Sequence, residues 1–354
     1  MITAKCLQKI RGKNKQILGY RLQDTKGVIR DFNSTFVKEQ IKTGNLRVVN
    51  LTLTSDNRLV DSTQETPNKK KIDTESILKI IQKAKLLGKA KDIPTACGRN
   101  CYLVSKTDTE HIIYIPDNVT QLNLNDYERP FTDEICDLKG SIKVIGGTGL
   151  KDTQYMFDEC EVQSLDLSNL DTSNVWNMEC MFLACKVKTL DVSTLSTKSA
   201  TCMYAMFQQC ETKKIDISNF NTTKVTNMTC MFSACESEVI NVGGIDTRNV
   251  KNMHAMFSFC SPQSINLRGF NTSSVKDMSN MFEYCNTNSI DISSFDTRNV
   301  SDFSNMFNNC TVPSLDLSSF IINSGASVGK MFHNCKSKVK ATDHKLLLAL
   351  ELEG

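Results

Sequence analysis

Residues 215–239 read IDISNFNTTKVTNMTCMFSACESEV, and their pattern recurs every 25 residues through the second half of the chain. Met-Phe falls at 156–157, 181–182, 206–207, 231–232, 256–257, 281–282, 306–307 and 331–332. A cysteine follows each pair at one offset: Cys160, Cys185, Cys210, Cys235, Cys260, Cys285, Cys310 and Cys335. A fixed period of this length marks a solenoid. Within the unit, Ile215 and Ile217 alternate with Asp216 and Ser218, the period of a half-buried strand. Phe220 points inward at the end of that strand. Asn221-Thr222 suit a turn and the capping of a helix start. Val225, Met228, Met231, Phe232 and Cys235 follow at spacings of 3, 3, 1 and 3, which predicts one face of a short helix.

The fold class predicted is an α/β solenoid, a leucine-rich-repeat-like stack of strand-turn-helix units with parallel strands, preceded by a small α+β domain. Each unit turns only about eight apolar side chains inward, too little burial to offset the ordering of its own backbone. Neighbouring units must supply the rest.

LDLSNLDTSNVWNMECMFLAC (165–185), IDISNFNTTKVTNMTCMFSAC (215–235) and IDISSFDTRNVSDFSNMFNNC (290–310) resemble the BspA-like, leucine-rich-like repeats of bacterial surface proteins and mycoplasma lipoproteins. The resemblance spans about 145–335. It implies a parallel-stranded solenoid used for adhesion or protein recognition, in a family whose members are usually exported.

The ends of the array depart from the pattern, as sealing a core from water requires. Ile142, Ile145 and Leu150 fall 25 residues before Leu167, Leu170 and Val175 and form a half-unit. In the last unit Ile321-Ile322 replaces the Asp/Asn-Thr pair and Gly325 replaces the valine. KLLLALEL (345–352) within 336–354 is the expected carboxy-terminal cap. Residues 95–144, with strand-like HIIYI (111–115) and QLNLN (121–125), are the expected amino-terminal flank.

Residues 1–61 read as a separate domain: a hairpin of ILGYRLQD (17–24) and GVIRDF (27–32), a helix near 34–43, and a strand RVVNLTL (47–53). This stretch resembles a small uncharacterised domain of short proteins from Gram-positive bacteria and their phages, which implies no activity. Residues 62–94 read as a linker, STQETPNKKK (62–71), and a basic helix over 72–92.

A net charge of +3 is too close to balance to argue for nucleic acid by itself. No apolar run approaches the roughly 18 residues of a membrane span. The start, MITAKCLQKIRGKNKQ, lacks the apolar core of a signal peptide. A cytosolic protein with no membrane partner is therefore expected. Its cysteines number 15, which is odd, so they cannot all pair within one molecule. Those of the repeat read as small apolar core residues; Cys180 and Cys230, which share a position with Ala205 and Ala255, read as packing residues too.

Several residues are candidates for function. Asp166, Asp191, Asp216, Asn241, Asn266, Asp291 and Asp316 form a ladder on an exposed, concave face, where stacked carboxylates would meet a basic partner or cations, or simply keep the face soluble. Trp176, the one tryptophan, occupies a position that is polar in other units. Phe259 and Tyr284 share another position, in neighbouring units, where the rest are mostly small or polar. All three are candidate interface anchors. Lys69, Lys70, Lys71, Lys79, Lys83, Lys85, Lys89 and Lys91 could meet a phosphate backbone or an acidic protein, or form a solvated helix face. Cys97, Cys101, His111 and Cys136 match no standard zinc spacing, so no metal and no other cofactor is expected. GGTGL (146–150) overlays the turn DTSNV (171–175) and lacks the Lys-Ser ending of a phosphate loop.

No catalytic motif is present, and no enzyme is expected. The leading expectation is a protein-binding solenoid of bacterial or phage origin, acting as an inhibitor or scaffold on a host complex. Its amino-terminal domain and basic helix would add a second contact or an oligomer interface. A nucleic-acid-associated protein using 69–91, and an adhesin exported by an unrecognised route, are the alternatives.

Overall fold

The structure is a computed structural model. It describes residues 74–122, 138 and 140–353, together with Val37 and the backbone of the strands that lie within 1–73. The chain divides into two compact units, Met1–Asp73 and Thr74–Gly354.

In the first unit, β1 (Ile2–Arg11), β2 (Ile17–Asp24), β3 (Ile29–Asn33) and β4 (Leu46–Val48) form a sheet of order β3-β2-β1-β4. The β2–β3 hairpin expected from sequence is present and antiparallel, with Tyr20 opposite Phe32. The strand expected at 47–53 is two: β4, parallel to β1, and β5 (Leu51–Leu53), which pairs with β6 (Leu59–Asp61). The helix expected near 34–43 lies, Val37 apart, outside the described residues, as do the Thr25-Lys26 turn and the linker at 62–71.

The second unit opens with α1 (Thr74–Leu86), shorter than the 72–92 expected. Gly88, at φ +66°, ends it: its N–H donates to Lys85 O at 3.0 Å, and Lys89 N–H reaches Ala84 O at 2.8 Å. Residues 90–94 instead form β7 (Ala90–Pro94), followed by β8 (Asn100–Ser105) and β9 (Glu110–Ile115) in an antiparallel meander. From β9 the sheet turns parallel, through β10 (Ser141–Gly146) and β11 (Glu161–Leu170) to β12 (Lys186–Leu190). Gly140 and Gly146 bracket β10; a Cβ there would stand 2.2 Å from Thr109 O and 2.1 Å from Ile115 O. Only glycine lets β10 lie this close to the flank.

Later coils keep short parallel strands: β13 (Lys214–Asp216) on β14 (Val239–Asn241), β15 (Ile265–Asn266) on β16 (Ile290–Asp291), and β17 (Ser314–Asp316) on β18 (Lys338–Lys340). In the first two pairs each residue meets the one 25 positions on, for example Ile215 with Ile240; β17 meets β18 at 24, as Leu315 with Val339. The parallel solenoid expected from the repeat is therefore present.

The helix expected in each unit is not. Its residues form a chain of tight turns, and backbone conformation is the reason. Two residues per coil, four apart, have φ between +49° and +59°, among them Cys230 and Ala234, Ala255 and Phe259, and Asn280 and Tyr284. Left-handed backbone cannot lie inside a right-handed helix. The hydrogen bonds agree. Met228, Cys230, Phe232 and Ala234 donate across to Asn252, His254, Met256 and Ser258 of the next coil at 2.7–3.1 Å. Met231, Ser233 and Cys235 donate three residues back, at 3.0–3.3 Å. The coil is thus a β-solenoid turn whose polar backbone is satisfied largely between coils.

The core is continuous from Ile93 to Ala349. Phe157, Phe182, Phe207, Phe232, Phe257, Phe282, Phe307 and Phe332 stack along it, with ring centroids 5.4–5.9 Å apart and planes within 17°. At its end α2 (His344–Glu353) buries Leu346 and Ala349. Asp343 caps α2 through Lys345 N–H at 2.9 Å and also accepts Ile322 N–H at 3.0 Å. Lys345 Nζ donates to the Ser324 and Ala326 carbonyls, at 3.1 and 2.6 Å.

Candidate functional site

Three columns of Asp or Asn shape most coils by one device: the side-chain oxygen accepts the N–H two residues on, closing an Asx turn. The Asp166–Asp316 ladder is the first column. Asp166, Asp191, Asp216, Asn241, Asn266, Asp291 and Asp316 accept from Ser168, Ser193, Ser218, Gly243, Arg268, Ser293 and Ser318 at 2.9–3.1 Å. Lys143, Lys214 and Lys340 pair with Asp166, Asp216 and Asp316 at 2.8–2.9 Å, and Asn241 Nδ2 donates to Asp216 at 3.0 Å. Partial burial would raise the Asp216 carboxyl, but Lys214, Ser218 and Asn241 outweigh it and hold the pKa at about 2. At Asp316 the Ser318 hydrogen bonds and Lys340 do the same. Much of the repulsion expected along this ladder is thus relieved within the protein. Asp171, Asn221, Asp246, Asn271 and Asp296 form the second column. Asp152, Asn177, Asn227, Asn252, Asp277 and Asp302 form the third.

Sequence reasoning missed the buried threonines beside the second column, assigning them to helix capping. Thr172, Thr222, Thr247, Thr272 and Thr297 each donate to a carbonyl 24 residues on and accept the N–H of that same residue, at 2.8–3.0 Å. Their recurrence after Asp or Asn was the available signal.

The aromatic candidates are exposed. Trp176 is 49% accessible and joins its neighbours through backbone, its carbonyl accepting Thr201 N–H at 2.9 Å. Phe259 and Tyr284 stack on each other, with centroids 4.7 Å apart and planes 12° apart. Even so they stay 54% and 47% accessible. Both sit on left-handed backbone, at φ +57° and +52°, a position held elsewhere by Glu159, Ala184, Gln209, Ala234, Asn309 and Asn334. Exposed residues next to the pair in sequence are uncharged: Ser261, Gln263, Asn286 and Asn288. The Glu283 carboxylate accepts from Asn280 and Asn308, at 2.6 and 2.9 Å. Trp176 lies three coils earlier, in a different column, so the three aromatics do not form one cluster.

The core cysteines are free thiols. Burial pushes Cys235 up to about 12 and Cys310 to about 11. Cys185 rises through hydrogen bonds with the Cys160 and Cys210 thiols and through burial. Of the zinc candidates, Cys136 lies outside the described residues, Cys101 is buried, and His111 Nδ1 meets Ser105 Oγ at 3.0 Å. No group of three His, Cys, Asp or Glu suited to a metal ion occurs among the described residues. Cys97 is a site that sequence reasoning did not separate from this set. Burial would raise its thiol, but the Thr95 hydroxyl and the backbone of Thr120, Gln121 and Arg99 outweigh it and bring the pKa to about 7.

Ser279 Oγ donates to Asp277 at 2.6 Å and lies 2.7 Å from His254 Nδ1. The carboxylate therefore holds the serine rather than orienting the histidine, the reverse of a nucleophile-activating triad. Of the basic candidates, Lys69, Lys70 and Lys71 lie outside the described residues; Lys79, Lys83, Lys85, Lys89 and Lys91 are exposed on or beside α1.

Fold and site together define a β-solenoid with a continuous core and side-chain columns on its surface. Residues 151–266 and 237–344 match the family described as "Mycoplasma protein of unknown function, DUF285". These spans cover more than half of the chain, which belongs to that family. No curated protein and no solved structure matches it.

Proposed function

We propose that the solenoid recognises another protein, with Phe259 and Tyr284 as the anchor of its contact surface. The carrying observation is the stacked, half-exposed pair on left-handed backbone. For residues other than glycine such backbone costs roughly 1–2 kcal/mol each, and Asn meets it more readily. Here the costlier residues stand in two neighbouring coils and still leave their rings facing solvent. Large, stiff, amphipathic rings on a rigid scaffold are what interface hot spots are made of. Trp176 and the Asp column lie on the same preformed scaffold, apart from this pair, and offer separate contacts. The resemblance of the repeats to BspA-like repeats supports the reading, since that resemblance implies recognition or adhesion. No catalytic step is part of this proposal, and no cofactor.

The test is a nuclease-treated pull-down from source-cell lysate, comparing the wild type with Phe259→Asn/Tyr284→Asn. These substitutions install the residue that other coils carry at this position, so the fold is kept. A stoichiometric protein captured by the wild type and lost from the variant is expected. Equal capture by both would move the contact away from the pair.

A further inference from the structure

We infer that the carboxy-terminal tip of α1 docks on an anionic lipid surface. The inference goes beyond protein recognition and rests on different residues. Leu86, the last residue of α1, and Leu87, the residue after it, are 88% and 63% accessible, more than any other large apolar residue of α1. The cap at Gly88 fixes them: the hydrogen bonds to Lys85 O and Ala84 O stop the helix there and hold both leucines at its end. The buried face of α1 is already used, with Ile81 and Ala84 packed against Val104 and Tyr114 of the sheet. Leu86 and Leu87 are therefore surplus to the packing of α1.

Charge around the tip selects the occupant. Residues 74–92 carry five lysines against two carboxylates, Glu75 and Asp92. Those carboxylates pair with Lys79 at 3.0 Å and with Lys85 at 2.5 Å, at the far end of α1 and on β7. Lys83 and Lys89 flank the leucines directly and are exposed. A pair of exposed leucines with Lys83 and Lys89 beside them in sequence matches an anionic bilayer surface, where apolar side chains enter the acyl boundary and lysines meet headgroups. Phosphate-backbone binding would use the lysines and leave the leucines without a role. α1 has 13 residues, and no described helix is long and apolar enough to cross a membrane, so contact is at the surface.

The experiment sediments full-length protein with vesicles of phosphatidylcholine alone, and with vesicles in which phosphatidylglycerol replaces part of it. Binding to the anionic vesicles, weakened by salt, and little binding to neutral ones is expected. Leu86→Ser/Leu87→Ser should lower the partition at least about tenfold, and Lys83→Gln or Lys89→Gln about fivefold each. Because these side chains are exposed, circular dichroism of the variants should match the wild type. In a Leu87→Trp/Trp176→Phe protein, tryptophan emission should move to the blue on adding anionic vesicles. No binding to anionic vesicles overturns the inference. So does binding that ignores the leucine pair, which is charge adsorption alone, and so does RNA that displaces the vesicles. Phe259→Asn/Tyr284→Asn should bind vesicles as the wild type does, which separates failure of this inference from failure of the protein-recognition reading.

Discussion

The Thr222 hydroxyl donates to the Asp246 carbonyl and accepts the Asp246 N–H, both at 2.8 Å, so one buried side chain satisfies both backbone groups of a residue in the next coil. Thr222→Val keeps the volume and leaves both groups unpaired. The expected loss is about 2–4 kcal/mol in urea denaturation. Thr223→Val, at an exposed neighbouring position, should change stability by less than about 0.5 kcal/mol. Equal effects at the two sites would show that Thr222 contributes packing only.

Ala234, at φ +53°, separates a chain of turns from a helix. In a helix Ala→Gly costs about 1 kcal/mol. On left-handed backbone the strain relieved offsets the lost chain entropy, so Ala234→Gly should leave stability unchanged or raise it by up to about 1 kcal/mol. A clear loss would restore the helix.

The thiols should divide sharply in reactivity. Among the described cysteines, Cys97 should label first with a disulfide reagent, at a rate that climbs through about pH 7 as its thiolate forms. Cys235 and Cys310 should react only on unfolding. Their folded pKa values, about 12 and about 11, lie above the ordinary 9.0. The stability they contribute is therefore fully present below pH 9 and lost as pH rises toward those values, by up to about 1.4 kcal/mol per unit and per fully buried thiol. Urea midpoints measured at pH 8 and pH 10 check the sign: a higher midpoint at pH 10 would contradict it.

Much of this could be read from the residues. Met-Phe and Cys at a period of 25 determined the stacking direction, because a residue identical in every unit meets its own copies in a parallel stack. The helix was misread for a definite reason. Consecutive three-residue turns bring Met228, Met231, Phe232 and Cys235 to one side at much the spacing a helix would use. Hydrophobic periodicity cannot tell the two apart; the asparagines at 280, 305, 309 and 334, a residue tolerant of left-handed backbone, could have. The Asp ladder was legible as a column but not as a set of Asx turns, because a carboxylate looks the same whether it faces a partner or its own backbone. In the first unit β1 was missed, since lysines and glutamine dilute its alternation of Ile2, Ala4, Cys6 and Ile10.

The 25-residue coil also behaves as a ruler. Each coil rests on its neighbours through the same threonine, phenylalanine and Asx columns, so gaining or losing a whole unit leaves every rung intact. It would, however, shift the coil of Trp176 relative to the coils of Phe259 and Tyr284 by one strand spacing, roughly 4.8 Å. Gain or loss of a unit between them can in this way reset the distance between two surface features in fixed steps, without redesigning either.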